Sequence, residues 1–114
     1  MTEHSCGIVI NGHHTDIVLR SYSNRMLLIV THFKKFGTLL MINRESSVKG
    51  YTSDVFTIKT LFGSDNGNND IHVAARYIAQ EINIEKPLLL SIALKDYNVK
   101  TLKSIVAAVN QIKP

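Results

Sequence analysis

The chain opens on short stretches of extended character. Cys6 to Ile10 and Thr15 to Ser21 flank Asn11-Gly12, a dipeptide whose residues both tolerate φ > 0 and so suit a type I′ turn. This predicts a first hairpin. Ser23-Asn24 marks another tight turn. Arg25 to Asn43 then reads as two apolar arms around Lys34-Lys35-Phe36-Gly37, a second hairpin signal that would complete a four-stranded antiparallel meander. Both arms are apolar on both parities. Leu27, Ile29 and Phe33 alternate with Met26, Leu28 and Val30, and Leu39 and Met41 with Leu40 and Ile42. A sheet with helices on one face and water on the other alternates apolar with polar, so both faces of this sheet ask for a cover.

Arg44 to Asp54 carries no periodicity and many turn-formers, the pattern of an exposed loop. Val55 to Phe62 resumes as a strand, with Phe56, Ile58 and Phe62 as its core parity and Val55, Thr57, Lys59 and Leu61 opposite. Ser64 to Asp70 is a polar break, where Asn69 or Asp70 can cap the helix that follows. In that helix Ile71, Ala74, Ala75, Ile78 and Ile82 form one stripe, and Pro87 stops any continuation. Leu88 to Leu94 is a nearly unbroken apolar run of strand length, as expected of a strand buried on both faces. Asn98 can cap a last helix whose stripe is Leu102, Ile105, Val106, Val109 and Ile112.

The pattern predicts one α+β domain over residues 1–114: five strands, a helix, a strand and a helix. The sheet is roughly six-stranded and mainly antiparallel, with both amphipathic helices on one face. Two helices cannot cover both faces, so the other face is expected in a dimer interface of about 800 Å² per subunit. The interface candidates are Leu27, Leu28, Ile29, Val30, Leu40 and Met41, with the contributing parity left open.

The totals narrow the function classes. A chain of 114 residues buries roughly two thirds of its unfolded surface and needs no staple. Its formal charge of +4 comes from 13 basic and 9 acidic residues without any block of five like charges, a solvated surface and no more. Lys34, Lys35, Arg44 and Lys49 could share one end of the sheet, but the few aromatics lie mostly on core parities, so nucleic-acid binding is not expected. Cys6 stands alone, which rules out an intrachain disulfide. With no basic start, no signal-like apolar segment and no run of membrane-spanning length, the expectation is a cytoplasmic or nuclear protein without a membrane partner.

Candidate chemistry is sparse. His4, His13, His14, His32 and His72 lack ligand spacing with a carboxylate or thiolate, and the adjacent His13 and His14 point to opposite faces of a strand. Cys6 reads as a packing residue rather than a nucleophile, and His32 as a partly buried group at the sheet rim. Asp65, Asn66, Asn68 and Asp70 match a calcium loop in composition only, because Gly67 takes the third position and Arg76 the twelfth. Phosphate-cradling glycine motifs and the nucleophile elbow are missing. No catalytic, cofactor or metal site is expected.

One resemblance adds to this reading. Met26-Leu-Leu-Ile-Val-Thr-His-Phe-Lys-Lys-Phe-Gly-Thr-Leu, then Ser46-Ser-Val, Lys59-Thr-Leu-Phe-Gly, Ile71-His-Val and Leu88-Leu-Leu-Ser-Ile-Ala-Leu-Lys-Asp resemble the third proteasome assembly chaperone family from about Ser23 to Ile105. The most specific pieces are the Thr-x-Phe-x-x-x-Gly-Thr turn at Thr31 to Thr38 and Ala93 to Asp96; the N-terminal hairpin matches only in outline. The resemblance implies a non-enzymatic chaperone with a six-stranded sheet and two helices. Such a protein pairs with itself or with a like-folded fourth chaperone, and helps order the α-subunits of the 20S proteasome, chiefly at α5. It further implies a client-binding loop at Arg44 through Asp54, here Arg44, Glu45, Ser46, Ser47, Val48, Lys49 and Tyr51; within it, Arg44, Lys49 and Tyr51 are this reading's own expected contributors to client contact. The loop sequence itself departs from the family pattern. The residues alone also fit a dimeric adaptor of the roadblock or profilin kind in trafficking or signalling.

Overall fold

The computed structural model describes residues 2–32, 37–45, 55–63 and 70–113. Its elements are β1 (Thr2–Ile10), β2 (His13–Ser21), β3 (Met26–His32), β4 (Thr38–Glu45), β5 (Val55–Phe62), α1 (Asp70–Glu81), β6 (Leu88–Ala93) and α2 (Val99–Ile112). The described strands form one six-stranded sheet in the order β1-β2-β3-β6-β4-β5, antiparallel throughout except where β3 and β6 run parallel. The first turn is as the sequence predicts. Asn11 and Gly12 adopt φ of 51° and 79°, the left-handed pair that a type I′ turn requires.

The expected central hairpin is not formed. β6 lies between β3 and β4 and pairs with both, so the meander ends at β3. The physical reason is the apolar run from Leu88, which at the sheet centre is flanked on both edges by β3 and β4 and covered on one face by the helices. There Leu88 and Leu90 are fully buried. Gly37 admits β4 to this position, since a Cβ on it would stand 2.2 Å from the Ile92 carbonyl oxygen. Lys34, Lys35 and Phe36 of the expected turn lie outside the described residues, as do Asp65, Asn66, Asn68 and Asn69 of the polar break.

Both helices pack on one face and against each other, α2 over β1 and β2 and α1 over β4 and β5. The predicted stripes meet the sheet: Ala74, Ala75, Ile78 and Ile82 of the first helical segment are buried, with Leu102, Ile105, Val106 and Val109 of α2. Opposite them lie Ile17, Leu19, Leu28, Leu40, Ile42 and Ile92, each contributing about 1.5–3 kcal/mol by burial.

The helix ends differ in their means from the expected ones. α1 stops well before Pro87, at Asn83, whose φ is 55°. The Asn83 N–H donates to the Gln80 carbonyl and the Ile84 N–H to that of Ala79, the paired bonds of a Schellman ending. Asn98 holds the N-cap position of α2 without a side-chain cap bond. Asp96 supplies the acceptor instead, taking the Asn98 N–H at 3.0 Å and the Thr101 hydroxyl at 2.7 Å. Those two donors hold its carboxyl below the usual carboxylate range.

Two further corrections concern the sheet. β4 runs through Arg44 and Glu45, which pair with Phe56 and Val55, so the loop starts later than its composition suggested. The pairing of β4 with β5 slips between Leu39 and Leu40, so that Leu39 faces Phe62 while Leu40 faces Thr60 and Leu61 of β5 is left over. This bulge turns Phe62 out of the core parity, and the side chain is 64% exposed.

Candidate functional site: the uncovered sheet face

Strand pairing settles which residues look away from the helices. One cross-strand row runs Val18, Ile29, Ser91, Leu39 and Phe62, and the next runs Arg20, Leu27, Leu89, Met41 and Lys59. Above them stand Asp16, Thr31 and Ala93. Val18, Leu27, Ile29, Leu39, Met41 and Leu89 are each half-buried, shielded by one another rather than by a second layer. A solvated antiparallel face places polar side chains at such positions. Polar groups occur mainly at its margins. Glu3 bridges Arg20 at 3.2 Å, His14 Nε2 lies 2.9 Å from Asp16 Oδ1, and the Thr57 hydroxyl donates to Glu45.

The structure divides the interface candidates by parity. Leu28, Val30 and Leu40 point at the helices and are fully buried, so the helix layer uses them. Leu27, Ile29 and Met41 lie on the uncovered face. Sequence reasoning did not name Val18, Leu39, Leu89 and Phe62 as interface candidates. The two-sided apolar runs carried a signal for Leu39 and Leu89, but a bulge leaves none for Phe62.

The lower margin of this face holds a hollow of about 370 Å³ lined by Tyr22, Asn24, Arg25, Leu27 and Leu89. The Tyr22 N–H donates to the Arg25 carbonyl at 2.9 Å, which sets the two residues side by side. The floor is aliphatic and the wall carries a guanidinium.

Of the expected client residues, Arg44 and Glu45 are described, while Ser46, Ser47, Val48, Lys49 and Tyr51 lie outside the described residues. Arg44 is engaged within the fold. Its guanidinium donates to the Ile84 carbonyl at 2.9 Å and to Asn83 Oδ1 at 3.1 Å, and lies 5.8 Å from the centre of the Phe56 ring. It thus ties the end of β4 to the Schellman turn of α1.

At the opposite end, His32 is buried, more deeply than its rim position suggested. Its Nδ1 accepts the Lys95 N–H at 2.9 Å, and its ring centre is 5.4 Å from that of His13. Burial, with His13 and Lys95 nearby, holds its imidazole below the usual range. Among the described residues no group of His, Cys, Asp or Glu is placed to hold a metal ion. Burial pushes the Cys6 thiol up, away from the reactive thiolate. No described helix is long and apolar enough to cross a membrane.

Comparison with known proteins agrees with this architecture. The family model for proteasome assembly chaperone 3 matches residues 28–112. A Nematostella vectensis protein named proteasome assembly chaperone 3 is 37% identical, with 92% of this chain and 84% of the relative aligned. The human protein of that name is 33% identical over 85% of this chain and 80% of its own. Among solved structures, one from the crystal structure of a chaperone complex for yeast 20S proteasome assembly superposes with a TM-score of 0.80 over 98% of both chains. At 12% identity that likeness speaks for the fold alone.

Proposed function

The chain belongs to the proteasome assembly chaperone 3 family, whose role is non-enzymatic, and from that premise we propose that it assists assembly of the 20S proteasome α-ring as one half of a dimer. The observation that carries the dimer is the apolar sheet face left without a helix layer. A like-folded chaperone or a second copy would cover Leu27, Ile29, Leu39, Met41 and Leu89, and the half-exposed apolar area would supply the drive for pairing. The client is an α-subunit, α5 first, held by the β4–β5 loop. Lys49 and Tyr51 make its contacts, and Arg44, occupied by Ile84 and Asn83, positions the root of that loop.

A chaperone of this kind works by differential binding. It favours one arrangement of neighbouring subunits and loses affinity when assembly alters the surface it holds. Because the lone Cys6 suits a reducing compartment, the place of action is the cytoplasm or nucleus, which fractionation of tagged protein would test.

The deciding measurement is molar mass by light scattering, first of the purified chain with and without a like-folded chaperone, then with recombinant α5. The expected result is a dimer that shifts to a larger complex with α5. A folded chain that stays monomeric with every partner and ignores α5 would refute both parts of the reading.

A further inference from the structure

β3 and β6 run parallel, so they end at the same margin of the sheet, β3 at His32 and β6 at Ala93. From Ala93 the chain turns through residues 94–98 into α2, and side-chain acceptors hold that turn. The Lys95 N–H donates to His32 Nδ1 at 2.9 Å. The Asn98 N–H and the Thr101 hydroxyl donate to one oxygen of Asp96 at 3.0 and 2.7 Å. His32 is only 2% exposed and stands beside a hollow of about 300 Å³ lined also by Gly37, Thr38 and Tyr97.

We infer that the β6–α2 turn is a latch closed by neutral His32, and that a proton taken up at Nδ1 releases the turn and the start of α2 while the sheet stays folded. A ring nitrogen that accepts the Lys95 N–H carries no proton, so in the closed state the imidazole proton sits on Nε2. Protonation at Nδ1 turns this acceptor into a donor and sets two N–H groups face to face. The bond to Lys95 is then lost. A buried cation also needs a partner or water, and the closed latch offers the ring neither.

The charged groups around the ring explain why. Among the described residues, His13 of β2, with its ring centre 5.4 Å away, and Lys95 of the turn both oppose a cation at this position, as burial does. Asp96 of the turn favours one, but its oxygen is engaged by Asn98 and Thr101. Thr38 of β4, on the wall of the same hollow, carries no charge. The imidazolium is therefore accommodated either by reaching water or by drawing Asp96 away from α2, and both routes open the turn. The opening stays local. Pairing of β6 with β3 ends at Ala93, residues 94–100 are half-buried or exposed, and α2 beyond them is fixed by buried Leu102, Ile105 and Val109.

The open form binds its proton at the ordinary histidine value of about 6.5, so the ratio of open to closed latch rises about tenfold between about pH 7.5 and pH 5.5. The test is backbone amide hydrogen exchange of the full chain, followed by NMR, with protection referred to the unfolded chain at each pH. Protection at Lys95 and Asn98 falls about tenfold over that range, while Leu90 and Ile105 keep theirs. The ¹⁵N spectrum of the His32 ring at neutral pH shows the proton on Nε2. In His32→Asn, which offers Lys95 an acceptor that does not titrate, protection of the turn no longer depends on pH.

A proton on Nδ1 at neutral pH overturns the latch. So does protection of Lys95 and Asn98 that is flat with pH, a fall shared equally by Leu90 and Ile105, or a fall that persists in His32→Asn. If that variant does not fold, the ring spectrum and the exchange profile of the parent decide the matter. The latch lies at the end of the sheet away from the β4–β5 loop, so no outcome depends on a partner or a client.

Discussion

Arg44 is the residue on which sequence and structure assign different work, and replacing it separates the two. As a loop residue it would touch the client and contribute little to folding. In the structure its guanidinium makes charge-assisted bonds to the Ile84 carbonyl and to Asn83 Oδ1 and lies beside the Phe56 ring. A hydrogen bond to a charged group contributes about 1.5–3 kcal/mol when shielded. The Asn83 contact is exposed and the Ile84 contact partly buried, so Arg44→Ala should cost about 1–2 kcal/mol in all. For a chain of this length that lowers the melting temperature by roughly 3–10 °C. Arg44→Lys keeps the charge but not the planar fork that reaches both acceptors, and should recover less than half of the loss. The assay is urea unfolding followed by circular dichroism, run beside α5 binding. A stable Arg44→Ala variant that no longer binds α5 would refute the clamp and return Arg44 to the client surface.

Two other outcomes follow from the layering and from the buried imidazole. Leu28→Ala should cost about 2–5 kcal/mol because its site is sealed under the helices. Leu27→Ala, half-buried on the open face, should cost about 1 kcal/mol and chiefly weaken pairing; equal losses in monomer stability by urea titration would contradict the assignment of faces. His32 has a folded-state pKa below its ordinary 6.5, so the unfolded chain binds that proton more readily. Stability should therefore fall as pH drops through about 6.5 and keep falling until the folded-state value is passed. Asp96, held below 3.8, contributes fully above that value, and its share is lost only in stronger acid. His32→Asn, which removes the titration and retains an acceptor, should flatten the stability profile between neutral pH and pH 5 relative to the parent. An unchanged slope would show that His32 is not its source.

Much of the architecture was legible in the chain because side-chain periodicity reports local geometry. The 3.6-residue stripes of both helices, the Asn11-Gly12 turn and the two-sided apolarity of Met26 to Val30 and of Leu88 to Leu94 each depend on neighbours within one element. So did the element order, and the inference that one sheet face lacks a cover within the chain. The family resemblance rested on contiguous motifs and was equally visible there.

What only the tertiary structure decided depends on partners distant in sequence. Placing β6 between β3 and β4 is a competition among strands for the best-covered site, and the local signal for a hairpin at Lys34 to Gly37 carries no information about it. Parity is likewise a property of the sheet: Leu27 and Leu28 are chemically identical, and only register against β2 and β6 sends one to solvent and the other to the helices. A single bulge reversed Phe62, and an acceptor forty residues away at Ile84 drew Arg44 out of the loop. The amino-acid pattern determined that this protein has two faces to cover, whereas long-range pairing determined which residues stand on each.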